Sequence, residues 1–412
     1  MAITRRDFLK RLLGTATLAS LGSTSPALVV RSALAGARTD ERDTVLVVLE
    51  LPGGNDTLNT VVPYAADEYA RSRRTLRLSA SQVLKIDSLL GFHPSMPGFA
   101  RLWKEGRLSV VQGVGYPRPD DNHPGAMRIW QTAAADRQPC QTGWLGRAVD
   151  TLSLGKEEIA PAVLVSQTSR RLALNAERAF VPRINAIQEG AVRAATQPES
   201  GEGLQGISAG QAGETPLLDY VRRTTLAACA GSRQIERAAR ARTAEYPAYP
   251  LAGRLRTISQ LIRADLGIRI FYTEESGEGI GGFDTHAGQR DNHAALLKQL
   301  SESVTAFVDD LAGDRLLDRV LVMTFSEFGR TLVENGRRGT GHGAAQSIFL
   351  VGGKVRGGLV GAHPSLADLD SQGGLKFHTD FRRVYATVLE TWLGLDSRAV
   401  LGARFEPLNV VL

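Results

Sequence analysis

Residues Thr44–Leu51 read TVLVVLEL, an almost unbroken apolar run that halts at Pro52-Gly53-Gly54. A strand with one wet face alternates polar and apolar residues, whereas a strand buried on both faces need not. The run therefore predicts a strand inside a mostly parallel sheet covered by helices. Leu108–Val114, Val163–Val165, Ile268–Tyr272, Arg319–Phe325 (RVLVMTF) and Ser347–Val351 read as further strands. Helical spacing falls between them: at Met96–Lys104, along Leu297, Leu300, Val304, Phe307, Val308 and Leu311, and from Phe381 to Trp392. The last of these has Thr379 or Asp380 as N-cap and Gly394 just past its end. Such alternation predicts an α/β fold. Residues 199–215 are rich in Gly, Ser and Gln, and helical patterns return at 217–243 and 251–266. Residues 170–250 accordingly read as a cap or helical insertion.

The first 35 residues carry a different signal. Thr4-Arg5-Arg6-Asp7-Phe8-Leu9-Lys10 is a paired-arginine box, followed by a weakly apolar stretch from Leu12 to Val30 and an A-x-A site at Ala33-Leu34-Ala35. A membrane-spanning helix needs ~20 strongly apolar residues, and Gly14, Gly22 and Pro26 dilute this one. The pattern predicts a removable twin-arginine signal peptide over 1–35. It implies the twin-arginine translocase and signal peptidase as transient partners, a periplasmic or secreted location and no stable membrane anchor. Residues 36–412 are then expected to form a single α/β domain. The whole chain has 49 basic and 43 acidic residues, net +6. Arg5, Arg6, Lys10, Arg11 and Arg31 against Asp7 account for four of those charges, so the remainder is close to balanced. Nucleic acid is therefore not an expected partner. The two cysteines, Cys140 and Cys229, could pair in an oxidising compartment or stay as thiols; two do not make a disulfide framework.

Residues able to do chemistry gather after the strands, where open α/β sheets place their sites. Asp56 follows the Pro-Gly-Gly turn, either as a ligand or as a turn aspartate bonded to its own backbone. Asp284 and His286 sit in Gly281-Gly282-Phe283-Asp284-Thr285-His286, where a carboxylate and an imidazole can turn toward one cation. Glu327 and Arg330 follow strand 319–325: Glu327 can ligate a metal and Arg330 can fork onto an anion, unless the two pair with each other. His342 lies between glycines in Gly339-Thr340-Gly341-His342-Gly343. Asn122 and His123, beyond strand 108–114, can orient a substrate. His293, His363 and His378 read as packing or surface residues. The sequence has no Walker loop and no C-x-x-C, which argues against P-loop nucleotide and dithiol redox templates.

Taken in order, LPGGNDTLNTVVPY, HPSMPGFARLW, GYPRPDDNHPGAMRIWQTA, GWLGR, GGFDTH, TFSEFGRT, GTGHG and TDFRRVYATVLETWLGLD resemble the family known as domain of unknown function 1501, itself distantly similar to the alkaline phosphatase and sulfatase superfamily. The resemblance implies an alkaline-phosphatase-like sandwich with a central, mostly parallel sheet. It implies a divalent cation of zinc, calcium or magnesium type on Asp56, Asp284, His286, Glu327 and His342, with His123 and Arg330 as catalytic candidates and an anionic small-molecule ester as ligand. Two positions depart from the pattern. Gly341 stands where the family usually has aspartate, and Asn122 where a serine resembles a nucleophile; Thr57 or Thr60 would have to substitute. The expected function is therefore metal-dependent hydrolysis of phosphate or sulfate esters. The alternatives are a catalytically silent periplasmic binding or assembly protein and, more remotely, an exported redox-cofactor carrier.

Overall fold

The computed structural model describes residues 43–134, 140–153, 161–167, 171–179, 181–184 and 244–412. The expected signal peptide, the 199–215 loop, the 217–243 helix, most of the 170–250 insertion and Cys229 lie outside the described residues. In chain order the strands are β1 (Val45–Glu50), β2 (Val61–Val62), β3 (Leu84–Lys85), β4 (Gly91–Phe92), β5 (Leu108–Gly115), β6 (Ala162–Val165) and β7 (Arg183–Ile184). They continue with β8 (Ile270–Glu274), β9 (Val320–Phe325), β10 (Arg330–Glu334), β11 (Thr340–His342), β12 (Gln346–Gly352), β13 (Gly358–Val360) and β14 (Thr379–Asp380).

Nine of these form one sheet in the order β13-β5-β12-β9-β1-β8-β6-β7, with β14 pairing farther along β5. Every pairing is parallel except those of β12, which runs against both β9 and β5. The exception follows from the connection. The chain leaves β9, makes the β10–β11 hairpin and returns directly as β12, whereas parallel neighbours need a crossover. The α/β class and the central sheet are as expected, and each sequence-predicted strand appears within two residues of its place.

Both faces of the sheet are covered, which explains the unbroken apolar runs. Val45, Val47 and Leu49 of β1 pack into one core with helices Pro97–Lys104, Pro250–Arg263 and Gln289–Gly313. Leu46 and Val48 face a second core with helices His123–Thr132, Trp144–Leu152 and Phe381–Thr387. Burying a Val or Leu fully contributes roughly 1.5–3 kcal/mol before ordering entropy is subtracted. The C-terminal helix starts where Asp380 accepts from the Arg382 amide at 2.9 Å and ends, after a π-helical turn, at Gly394 with φ 72°. Among the described residues no helix is long and apolar enough to cross a membrane.

Register decides where chemistry can occur. Glu50, the last residue of β1, lies level with Glu274 of β8 and Phe325 of β9. The loops leaving these three strands therefore emerge side by side.

Candidate metal centre

The Pro52-Gly53-Gly54 turn and the Gly281–His286 loop interlock above the ends of β1 and β8. A Cβ on Gly53 would come within 2.5 Å of the Asp284 amide nitrogen, and its φ of 117° also favours glycine. Arg330, at the start of β10, ties the loops together. Its Nε donates to the Gly54 carbonyl at 2.7 Å, and its Nη2 to the Phe283 carbonyl at 3.0 Å, the Gly53 carbonyl and Asp284 Oδ1 at 2.7 Å.

Around Asp284 stand three imidazoles. His123 Nε2 lies 3.4 Å from Asp284 Oδ2, His286 Nε2 lies 3.0 Å from Oδ1, and His342 Nε2 lies 3.3 Å from Oδ1. His286 Nε2 and His342 Nε2 are 2.9 Å apart. Ligand atoms of His123, Asp284 and His342 all fall within 4.8 Å of one another; His286 adjoins two of the three.

The residues behind these rings fix their tautomers. His123 Nδ1 lies 2.7 Å from the buried Glu327 carboxylate, and His342 Nδ1 lies 2.5 Å from the Asp121 carbonyl. Each Nδ1 therefore carries its proton outward in the neutral ring, and each Nε2 lone pair faces Asp284. The hydrogen bond and charge of Glu327 lift the His123 pKa above its ordinary value despite burial. Burial, with Arg330 and His342 nearby, lowers that of His286. Burial alone would raise the Asp284 carboxyl, but the hydrogen bond and charge of Arg330 carry it down.

This donor set fits a divalent cation. Bonds of ~2.0–2.1 Å to a tetrahedral zinc put neighbouring ligand atoms roughly 3.3 Å apart, and the contacts of Asp284 with the imidazoles span 3.0 to 3.4 Å. Two imidazole nitrogens 2.9 Å apart also need a proton or a cation between them. Three nitrogen donors suit zinc better than calcium or magnesium, which take oxygen.

The remaining candidates are placed differently. Asp56 is fully buried and apart from the cluster: Arg73 engages both its oxygens, Gln289 bonds Oδ2, and Oδ1 caps the following helix through the Leu58 amide at 3.2 Å. No lone pair is left facing the cation position, so the turn-aspartate alternative describes it better than the ligand one. Glu327 stands behind His123 rather than beside Asp284, and also accepts from the Gly53 amide at 2.8 Å. Arg330 is buried, with its donors on carbonyls and Asp284, so its fork holds a protein carboxylate instead of a ligand anion. Asn122 caps helix His123–Thr132 by accepting from Gly125 at 2.8 Å. Thr60 donates to the Asp56 carbonyl at 2.8 Å, and Thr57 accepts from the Ser347 amide at 3.1 Å, both buried. Neither hydroxyl reaches the cluster. At Gly341 a Cβ would come within 3.2 Å of the Thr331 methyl group, and the Thr331 hydroxyl accepts the Gly341 amide proton at 2.9 Å.

Three participants escaped the sequence reading. The Asp121 carbonyl backs His342, and a backbone oxygen carries no sequence signal. Phe328 stacks on His342 with ring centroids 4.3 Å apart and packs against His123; its adjacency to Glu327 was the available hint. Arg73, which neutralises Asp56, sits in a run, Arg71-Ser72-Arg73-Arg74, that looks like a solvent face.

The profile of the family described as "Protein of unknown function (DUF1501)" matches residues 43–404. The chain belongs to this family. No curated protein matches the sequence of this DUF1501 member. Among solved structures it is similar to the C-terminal periplasmic domain of EcEptC from Escherichia coli in complex with Zn, at 10% identity and TM-score 0.35, covering 75% of this chain and 72% of that one. It is also similar to the phosphonate monoester hydrolase SpPMH from Silicibacter pomeroyi, at 9% identity and TM-score 0.35, over 89% and 78% of the two chains. A third is the alkaline phosphatase from the Antarctic bacterium TAB5, at 12% identity and TM-score 0.30, over 76% and 92%. At these scores the likenesses decide nothing about the site.

Proposed function

We propose that this DUF1501 protein is exported by the twin-arginine route and hydrolyses phosphate or sulfate esters with a zinc-type cation held by His123, Asp284 and His342, with His286 alongside. The observation that carries this reading is the convergence of lone pairs on one point, with the His123 and His342 tautomers fixed from behind by Glu327 and the Asp121 carbonyl. A divalent cation there would supply charge neutralisation for an anionic ester and bring a coordinated water toward neutral pKa. The chain's own part is to hold that centre rigid and accessible. Arg330 steadies Asp284 from the buried side, while the side chains of Asp284, His123 and His286 stay 45%, 35% and 35% exposed. Phe328 walls the inner side of the cluster.

A second reading has its own support. Ser326, the hydroxyl next to Glu327, donates to the Leu51 carbonyl at 2.7 Å and is buried. Together with Thr57, Thr60 and the capping Asn122, it supplies no side-chain nucleophile, which favours a binding or assembly protein that keeps the metal and lacks turnover. Elemental analysis of the purified protein, beside Asp284→Asn and His342→Ala, tests the shared premise; no stoichiometric metal in the native protein would sink both. With metal present, turnover of aryl phosphates or sulfates selects the hydrolase, and its absence selects the binder. Export is tested separately by fractionating cells that express Arg5→Lys/Arg6→Lys, which should retain the protein in the cytoplasm.

A further inference from the structure

The β10–β11 hairpin leaves Arg330 and returns to His342, so both its ends belong to the metal centre. Its tip, residues 335–339, lies against the chain leaving His286. The Arg337 carbonyl accepts from the Gly288 amide at 3.0 Å, and the Arg338 carbonyl from the Gln289 amide at 2.9 Å. Asn335 braces the tip from inside. Its Oδ1 accepts from the amides of Arg337 at 2.9 Å and Gly339 at 3.1 Å, while its Nδ2 donates to the His286 carbonyl at 3.0 Å. A Cβ on Gly339 would come within 2.3 Å of the His286 carbonyl carbon. Tip and His286 loop are therefore one backbone unit, and what the tip carries stands at the edge of the metal centre.

It carries two cations. Arg337 and Arg338 are both exposed, and among the described residues neither guanidinium has a hydrogen bond or an acidic partner. The hairpin's own carboxylate, Glu334, is spent elsewhere, accepting from the Thr75 and Leu76 amides at 2.9 Å each. Arg338 also holds φ 57°, a conformation that residues other than glycine seldom adopt and that points to a task for its side chain. The His342 side of the centre has the other sign. Asp121, whose carbonyl backs His342, has an exposed carboxylate that accepts from Gln372 Nε2 at 3.3 Å. An extended anion lying across the centre is thus favoured in one sense only, with its far end toward the hairpin tip. We propose that the ester taken by this centre is a small bis-anionic one, whose second phosphate or sulfate group is bound by Arg337 and Arg338. The inference rests on the metal-centre reading and adds the substrate class to it. Guanidinium forks match the oxygens of either group, and unpaired, exposed ones give up no protein partner to bind them.

The test is isothermal titration of the zinc-loaded full chain with 1,4-butanediol bisphosphate, beside monobutyl phosphate as the singly anionic comparison. The bisphosphate is expected to bind about ten-fold more tightly. In Arg337→Gln/Arg338→Gln the ratio of the two affinities should fall to near one, with zinc content by elemental analysis unchanged as the sign of an intact centre. If that variant does not fold by circular dichroism, salt serves instead: in the native chain the ratio should shrink as NaCl rises from about 0.05 M to about 0.5 M. Equal affinities in the native protein, a ratio kept in the folded variant, or a ratio indifferent to salt overturns the proposal. So does bisphosphate binding that survives EDTA undiminished, since the arginines would then act apart from the cation. Zinc-dependent binding of monobutyl phosphate without preference for the bisphosphate sinks this inference alone, whereas a native chain that holds no zinc sinks the metal-centre reading with it.

Discussion

Asp56 and Asp284 look alike in the sequence, each following a Gly-Gly pair at the end of a strand, yet the fold gives them opposite surroundings. Both have an arginine. Arg73 and Asp56 are fully buried and face each other squarely, so that the pair closes on itself with Gln289 and the helix amide. Burial by itself would raise the Asp56 carboxyl, and the charge and hydrogen bond of Arg73 carry it below its ordinary value. Arg330 takes only Oδ1 of Asp284 and leaves Oδ2 facing His123, near solvent. What separates a structural carboxylate from a ligating one is therefore the second oxygen. The first aspartate locks the β1 loop to the β10 strand, since Arg73 also donates to the Leu332 carbonyl at 3.0 Å; the second is held in place but kept available.

Breaking the two arginine–carboxylate pairs should separate them most clearly. Arg73→Met leaves a buried carboxylate without its partner, and a loss of ~3–5 kcal/mol in urea unfolding is expected. Asp284→Asn should cost the metal-free protein no more than about 1 kcal/mol, because that carboxylate is half exposed and Arg330 keeps its carbonyl partners. Equal costs for the two variants would erase the distinction. The shift that added zinc produces should rank the two variants the other way. At one hundred times Kd a bound ion stabilises the native state by ~2.7 kcal/mol, and the thermal shift that reports this should persist in a folded Arg73 variant and vanish in Asp284→Asn.

Much of the frame was legible because a strand buried on both faces cannot hide: TVLVVLEL and RVLVMTF have no polar face to show. The loops carrying Asp284, His286 and His342 were legible for a related reason, since glycines around acid and imidazole groups mark backbone built for close approach. The assignment of Asp56 was not. Whether an Asx turn remains free depends on Arg73, seventeen residues on, folding inward from an apparently solvated basic run. The pairing of His123 with Glu327 spans 204 residues and depends on β12 slotting between β5 and β9, a strand order that no local pattern encodes. The fork of Arg330 suggested a ligand anion or a pair with Glu327, and only the fold shows that Asp284 and three loop carbonyls fill it instead.

The support behind the ligands offers a finer contrast between the regions. Glu327→Gln keeps an acceptor for His123 Nδ1 but removes the charge, so a fall of about 10–100-fold in zinc affinity is expected by competition with a chromophoric chelator. Stability without metal should change little, and a variant that binds zinc as tightly as the native protein would show that Glu327 serves only the Gly53 turn.

The smallest effect concerns the buried side, where His293 Nε2 lies 2.9 Å from Asn55 Oδ1 beside the Asp56 pair. Burial pushes the His293 pKa down to about 3 from 6.5. A folded-state value below the unfolded one means that the neutral ring stabilises the fold; this contribution is complete above about pH 6.5 and is lost as pH falls toward about 3. Between about pH 7.5 and about pH 5.5 the loss from this one group is ~1.4 kcal/mol. His293→Gln retains a donor for Asn55 and does not titrate, so its unfolding free energy should fall by about that much less over the same interval. The variant should still lose stability on acidification, because burial also lowers His93, to about 4. If the two pH profiles run parallel, His293 takes up its proton in the folded state, and the Asp56 side of the sheet edge is wetter than its packing indicates.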